Sequence, residues 1–478
     1  MSNLGFQNLF NRVSLFHGIR TVRFFLEKNN ELYSPEITDP KKKEMYPSGV
    51  ASLKGFDALF FSISFELDYI NLIKMLIFSS IPPTCAERHS GGQRAWPFVV
   101  AGGIAVTANP YVISAVSEVA FVGDMEENLE KILDILIENI PVTRRGSGEK
   151  IRNQNYSLPG KLFEELDAVD GVYMNTVSGK TTTPKRSILK EIVEPAHTVV
   201  LTGGTEFSNM FLVEAVRGCK GSCLFCATRC LTGPVRPVKK KVIQKVMEKI
   251  PSGTKRAGLI GPVLTDNEEL VDIVSMINEM GCSVSFSSLR ADAYSDVIAG
   301  LLEKNRQNSV TFAPETGSLM LRKRIGKYLT DIELLNAVSL SVEHGIKNIR
   351  YYVMYGLPGE KFEDIKATAD LVKKTVRLFK KPGYTLHISV NPFVPKKATP
   401  FESQKVLPKS YYMKMKEMLK GELSGTEAVS LKFDSFRNFY IHSILSIGDR
   451  DTGLKLCNSI TNNSLKSFRK YAMEELLK

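Results

Sequence analysis

The chain has 478 residues, 43% hydrophobic and 24% charged, with a formal net charge of +12. That length supports two or three domains with their own cores, and seven cysteines, an odd number, exclude a small disulfide-held scaffold. No run of eighteen apolar residues is present to form a transmembrane helix, and the opening MSNLGFQNLFNRVSLF lacks a secretion-signal layout, so a cytoplasmic enzyme is expected.

In chain order, residues 1–145 read as an open α/β unit of Rossmann type. An apolar run at Phe56–Ser64 leads into an amphipathic stretch from Tyr69 to Phe78. A second strand-like run, Phe98–Val100, ends in Ala101-Gly102-Gly103, and a third, Glu118–Val122, ends in Gly123-Asp124. Leu129, Ile132, Leu133, Leu136, Ile137 and Ile140 then follow helical spacing, and Asn109-Pro110 fits an N-cap with proline at the first helical position. Residues 146–205 are rich in Ser, Thr, Gly, Asn and Lys and read as a connector.

Over 206–400, strands and helices alternate. The strands are expected at Phe211–Arg217, Arg256–Gly261, Ser283–Leu289, Ser309–Pro314, Asn348–Tyr355 and Tyr384–Phe393. Helices fall between them, at Glu268–Met280 and, opened by the capping box Thr330-x-x-Glu333, at Asp331–His344. Six parallel βα units make a partial barrel. Residues 401–478 form a C-terminal extension.

Four of the seven cysteines crowd between Cys219 and Cys230. Cys219, Cys223 and Cys226 have CxxxCxxC spacing just past the first barrel strand. Thiolates are the usual ligands of iron–sulfur clusters, and three on one loop hold three irons of a cubane while leaving the fourth open. The alternative is a zinc knot with Cys230 as fourth ligand, but zinc ribbons bring paired cysteines together across a longer loop. Cys230 is read as a bystander.

With Phe225 before the last cysteine, this motif resembles the radical S-adenosylmethionine (SAM) superfamily. Later strand ends are similar too: Ser288-Leu289-Arg290-Ala291-Asp292, Ala313-Pro314-Glu315-Thr316-Gly317-Ser318, Gly356-Leu357-Pro358-Gly359-Glu360 and Asn391-Pro392-Phe393-Val394-Pro395-Lys396. Together with Gly448-Asp449-Arg450 they look like the class B-like subgroup, which carries an N-terminal cobalamin-binding domain. The resemblance implies a Rossmann-like cobalamin-binding-type domain, a radical SAM barrel and a small C-terminal tail domain. It also implies a [4Fe–4S] cluster on Cys219, Cys223 and Cys226. SAM would bind the open iron and be split by one electron into methionine and a 5′-deoxyadenosyl radical, which takes a hydrogen atom from the substrate.

In that setting Arg290 is suited to the SAM carboxylate and Glu315 to its ribose or amino group, while the turn Gly356–Gly359 lets backbone approach the adenine. The simpler readings are an ion pair for Arg290, a helix-terminal carboxylate for Glu315 and ordinary turn glycines. The superfamily's usual Gly-Gly-Glu is replaced by Gly261-Pro262-Val263-Leu264-Thr265-Asp266, which makes Asp266 a candidate for the SAM amino group. Loops Ser62–Phe65, Gly102–Ile104 and Gly123–Met125 would cradle cobalamin, with Ser62, Ser64, Gly102, Gly103 and Gly123 in contact. Glu87-Arg88-His89-Ser90-Gly91-Gly92 is the nearest match to an axial-histidine motif, but it has Glu for Asp and precedes the Phe98 strand instead of following the first one, so no protein ligand to cobalt is expected. The domain serving only to shape the substrate site is the alternative.

The leading function is cobalamin-dependent methylation of an unactivated carbon in a small molecule or lipid. Radical coupling, cyclisation or rearrangement without methyl transfer is the alternative. A low-potential flavodoxin or ferredoxin would supply electrons. The positive charge raises RNA modification as a third reading, less favoured because the lysines are dispersed, with short runs only at Lys41–Lys43 and Lys239–Lys241. A methylthiotransferase would need further N-terminal cysteines, and only Cys85 is present there. A zinc-stabilised binding protein is the non-enzymatic reading.

Overall fold

A computed structural model of the chain describes residues 3–28, 30–38, 52–90, 96–140, 160–174, 185–287, 289–380 and 382–478. Lys41–Lys43, Gly91, Gly92, Ser288 and much of the expected connector lie outside the described residues. The chain divides into two compact units, one of Leu9–Leu189 with Tyr440–Leu476 and the other of Lys190–Phe439 with the residues before Leu9.

The first unit is built on four strands in spatial order, β1 (Ala58–Ser62), β2 (Phe98–Gly102), β3 (Val119–Phe121) and β4 (Val172–Tyr173). The first three are parallel and the fourth antiparallel. Phe98, Val99, Val100 and Ala101 of β2 are all buried, as expected of a central parallel strand covered on both faces. The amphipathic helix Leu129–Asn139 lays Ile132 and Leu136 on a core that also takes Leu162 and Leu166 from the helix Gly160–Asp167. That helix and β4 therefore extend this sheet unit beyond residue 145.

The last residues of the chain join this unit. Asn109 caps the helix Pro110–Ile113 by accepting from Tyr111 N, and its amide donates to the carbonyls of Ser446 and Gly448, the latter at 2.8 Å. The helix Arg450–Thr461, capped by Asp449 paired with Thr452, lies so close to the backbone at Val112 that a side chain at Gly453 would clash with the Val112 carbonyl. The stretch read as one C-terminal extension, 401–478, is thus divided near residue 439.

The second unit carries all six expected barrel strands, β5 (Phe211–Glu214), β6 (Arg256–Ile260), β7 (Ser283–Phe286), β8 (Ser309–Glu315), β9 (Asn348–Tyr355) and β10 (Thr385–Pro392). A seventh, β11 (Val429–Phe433), pairs parallel with β10. All pairings in this series are parallel, in two arcs, β7-β6-β5 and β8-β9-β10-β11. Helices such as Leu270–Glu279, Asp296–Lys304, Asp331–Glu343 and Phe362–Val376 return the chain, so every signature segment falls at or just past the carboxyl end of a strand. Among the described residues no helix is long and apolar enough to cross a membrane.

Candidate active site

Beyond β5, Arg217 grips Glu214 with both Nε (2.7 Å) and Nη2 (2.8 Å), and Gly218 turns the chain outward at φ +84°. A side chain there would strike the Pro234 carbonyl, so this turn requires glycine. The loop that follows presents Cys219, Cys223 and Cys226, each half-buried and free of disulfides. Gly221 N donates to Cys219 Sγ at 3.3 Å, and Cys226 opens the short helix Ala227–Leu231.

The loop is fastened from below. Leu224 and Phe225 pack on a core of Leu321, Ile325, Leu357, Phe393 and Phe401, drawn from the segments after β8, β9 and β10. Leu224 N donates to the Ile325 carbonyl (2.9 Å), and Ser222 Oγ donates to the Gly326 carbonyl (2.7 Å). The aromatic preceding the last cysteine is an anchor for the loop.

Next in sequence, Lys327 sends its ammonium to Glu315 Oε1 at 3.1 Å. Glu315 ends β8 with φ +65°, a left-handed conformation uncommon for a carboxylate residue, and it is buried. Burial raises its carboxyl above the ordinary range although Lys327 pulls the other way. Burial likewise pushes the Cys223 thiol up to about 11 against the pull of Lys327, so the charge of this lysine acts on both the Glu315 carboxyl and the Cys223 thiol. Sequence reasoning missed Lys327, because no motif distinguishes it from the neighbouring basic residues of Leu319–Arg324.

Asp266 lies in the turn Leu264–Asp266 after β6, with its side chain 2% exposed. Lys220 Nζ meets one carboxylate oxygen at 2.8 Å, while Asp266 Oδ2 and Thr265 Oγ1 are buried with no partner among the described residues. Buried orphan acceptors beside a cysteine loop mark a place for a donor that the protein does not itself supply. Arg290 behaves differently from expectation. Its Nε (2.9 Å) and Nη2 both bind the carboxylate of Asp292, so the forked edge proposed for the SAM carboxylate already holds a protein carboxylate. Asp292 raises the guanidinium's proton affinity, and Asp266 and Cys219 add to the effect, which places Arg290 in the electrostatic neighbourhood of the loop.

Gly356 and Gly359, expected to admit adenine, have φ of +77° and +78°. The space beside each is filled by protein: the Tyr412 ring at Gly356 and the Arg324 guanidinium, which donates to the Gly359 carbonyl at 2.8 Å, at Gly359. Gly356 N donates to Glu360 Oε2 (2.6 Å), as does Tyr411 OH (2.8 Å), while Glu360 Oε1 is buried without a partner among the described residues. Burial lifts this carboxyl from its ordinary 4.5 to about 7. A folded-state pKa above the unfolded value means stability that is full below about pH 4.5 and is lost as pH rises through about 7. Glu360→Gln keeps an acceptor for both donors and removes the titration. It is expected to stabilise the fold by about 1–2 kcal/mol near pH 8 and to change little near pH 5. Urea midpoints at the two pH values test this, and a wild-type-like pH slope in the variant would refute the assignment.

The donor set fits a cubane. Tetrahedral zinc on thiolates brings sulfurs to about 3.8 Å of one another, given Zn–S of about 2.3 Å. Among the described residues the cysteine loop does not form a group of ligand atoms within 4.8 Å; only Cys85, His89 and Glu118 do. Three half-buried thiols spread over one loop, with an amide donor, a lysine and orphan acceptors nearby, suit an iron–sulfur cluster with one open position. Residues 213–372 match the radical SAM superfamily. The chain belongs to that superfamily.

Its cofactors are accordingly a [4Fe–4S] cluster and SAM. Residues 5–160 match the family of radical SAM proteins, N-terminal. An uncharacterised protein of Methanocaldococcus jannaschii is 28% identical over 421 residues, 87% of this chain and 83% of the relative. An uncharacterised methyltransferase of Pyrococcus horikoshii is 24% identical over 170 residues, 34% of this chain and 36% of its own length. Among solved structures, the radical SAM methyltransferase TsrM of Kitasatospora setae, with cobalamin and a [4Fe–4S] cluster bound, superposes with a TM-score of 0.52 at 12% identity, covering 88% of this chain and 89% of its own. That likeness is one of fold.

In the other unit of this radical SAM enzyme, Ser62 and Gly102 end β1 and β2, and Ser64 is exposed in the loop that follows. Gly103 and Gly123 each have φ +107°, and their missing side chains leave room for the backbone of Ile63 and of Ser187 respectively. These two glycines therefore pack loop against loop at the carboxyl edge of the sheet, and only Gly102 has ordinary clearance, with Phe121 Cβ 3.6 Å from an added side chain. At the same edge Glu66 is buried and pairs with His442 Nε2 at 3.1 Å, and the His442 ring meets Phe65 edge-on.

Proposed function

We propose that this enzyme is a cobalamin-dependent radical SAM methyltransferase acting on an unactivated carbon of a small molecule or lipid. The observation that carries the reading is one chain that combines the cysteine loop of a partial barrel with an open parallel sheet, whose β1, β2 and β3 end in three adjacent loops. Open α/β sheets bind ligands at that edge, and the fold of TsrM, a methyltransferase with cobalamin bound, runs along 88% of this chain.

When bound, the cluster supplies one-electron reductive cleavage of SAM, and cobalamin supplies carriage of a methyl group. Cys219, Cys223 and Cys226 hold the cluster by their sulfurs. Asp266 Oδ2 and Thr265 Oγ1 accept hydrogen bonds from the SAM amino group. Glu315 accepts from the ribose or amino group while Lys327 balances its charge. Arg290 acts through Asp292 and as a positive field near Cys219. Gly356 and Gly359 set the turn on which Tyr412 and Arg324 rest. Ser62, Ser64 and Gly102 would hold cobalamin, with Gly103 and Gly123 shaping the ledge. A low-potential flavodoxin or ferredoxin in a reducing cytoplasm suits this chemistry.

Anaerobic reconstitution with iron, sulfide and hydroxocobalamin, then desalting and product analysis with SAM, tests the reading. Stoichiometric cobalamin and a methylated product are expected, and absence of retained cobalamin overturns the methyltransferase. Asp266→Asn and Glu315→Gln should each weaken SAM binding by about tenfold or more, the loss of a charge-assisted hydrogen bond, with the visible cluster spectrum unchanged. Unaltered SAM affinity in both variants moves the SAM site elsewhere.

A further inference from the structure

His89, the nearest match to an axial histidine in the sequence, lies at the opposite edge of its sheet from the strand-end loops. Its neighbour Glu118 directly precedes β3, and Val99 at the start of β2 donates its N–H to Glu118 Oε2 at 2.8 Å. The short helix Cys85–His89 is opened by a capping box in which Thr84 Oγ1 accepts from Glu87 N (3.2 Å) and Glu87 accepts from Thr84 N (3.1 Å). Cys85 and His89, four residues apart, consequently share one helix face. Cys85 N donates to the Ala115 carbonyl at 3.0 Å, which seats that face against the segment leading to Glu118.

Three different ligand types meet there. Cys85 Sγ, one ring nitrogen of His89 and one carboxylate oxygen of Glu118 all lie within 4.8 Å of one another. His89 Nε2 is 3.1 Å from Glu118 Oε1. Arg88 holds the carboxylate from its other side, with Nη2 2.9 Å from Oε2 and Nε 3.0 Å from Oε1. Cys85 is fully buried and the Glu118 side chain is 2% exposed, whereas the His89 side chain is 35% exposed and gives an approach from solvent.

We propose that Cys85, His89 and Glu118 bind a single thiophilic divalent cation of the zinc class. A thiolate, an imidazole and a carboxylate are the ligands zinc takes, with Zn–S of about 2.3 Å and Zn–N and Zn–O of about 2.0–2.2 Å. The 3.1 Å between His89 Nε2 and Glu118 Oε1 is already about the spacing of two ligands on one ion at those lengths, and Cys85 Sγ, within 4.8 Å of a ring nitrogen and a carboxylate oxygen, meets the same ion at about 3.6 Å from each. Val99 N holds Oε2 and Arg88 grips both oxygens of Glu118, the outer-shell support that ligating carboxylates use, and Oε1 offers the ion the lone pair that now faces His89 Nε2. The ion displaces the Cys85 thiol proton and the hydrogen bond between His89 and Glu118, and a water on the exposed His89 side completes the tetrahedron. The site ties the helix Cys85–His89 to the amino edge of β3, with no part in the barrel chemistry.

The test uses the full-length chain with Cys219, Cys223, Cys226 and Cys230 changed to Ala, which removes the barrel thiols as competitors. Zinc is titrated against a chromophoric chelator, and cobalt(II) is added for its optical spectrum. One zinc per chain and a thiolate-to-cobalt charge-transfer band are expected, both lost with Cys85→Ser. Because Cys85 is buried, His89→Gln is the second variant: it should bind zinc at least about tenfold more weakly, as expected for a lost ligand, with far-UV circular dichroism unchanged. Failure to bind stoichiometric zinc, a cobalt spectrum without the thiolate band, or zinc affinity untouched by His89→Gln overturns the proposal. None of these results depends on cobalamin binding or methyl transfer.

Discussion

Replacing Cys219, Cys223 or Cys226 by alanine is expected to abolish the visible iron–sulfur absorption and SAM cleavage together, whereas Cys230→Ala leaves both largely intact. Cluster irons need thiolates, and three are supplied by a loop pinned at Ser222 and Leu224 to the segment after β8. Cys230 stands one turn further along the helix Ala227–Leu231, where its N–H bonds to the Cys226 carbonyl and Arg229 Nη1 lies 3.8 Å from its sulfur. A sulfur carried on a helix turn beside a guanidinium has another setting than the loop thiols. Iron and sulfide analysis with visible spectra of the four anaerobically purified variants decides the matter. Loss of the cluster in Cys230→Ala equal to that in the others would refute a three-thiolate cluster.

Gly326→Ala is expected to empty the same site without touching a sulfur. Gly326 has φ +74°, and an added Cβ would collide with the backbone carbonyl of Ser222. The neighbour is main chain, so no rotamer relieves the clash, and Leu224 N···Ile325 O and Ser222 Oγ···Gly326 O must lengthen. The displaced loop carries Cys223, and a cubane tolerates little error in where its thiolates stand. The control is Gly345→Ala. Gly345 has φ +73°, the same left-handed strain of about 1 kcal/mol, but open space where its Cβ would go. Iron content per chain should fall several-fold in Gly326→Ala and stay near wild type in Gly345→Ala. Equal iron content in the two would show that the contact between residues 222 and 326 does not position the cluster.

Much of the enzyme was legible along the chain wherever the controlling physics is local. CxxxCxxC spacing identifies a cluster loop because three thiols on one short segment must converge. The barrel strands are apolar runs punctuated by capped helices, such as the one opened by Thr330 and Glu333, and such signals act over a few residues. Other features depended on which distant segments meet. Arg290 pairs with Asp292, Gly356 faces Tyr412, and Asp266 keeps one oxygen open while Lys220 takes the other. None of these follows from residue type, because desolvation and charge pairing are set by neighbours in space. Lys327 became notable only when folding paired it with Glu315 and brought its charge to bear on Cys223. Likewise the C-terminal helices joined the N-terminal sheet through Asn109, and Cys85, His89 and Glu118 met across a helix and a strand. The sequence by itself determined the cluster chemistry, the α/β class and the order of the strands, since spacing and periodicity are properties of the covalent chain. The tertiary structure alone decided which carboxylate stays unpaired, which glycine is packed by protein and which distant side chains share a site, because those depend on contacts that loop closure brings together.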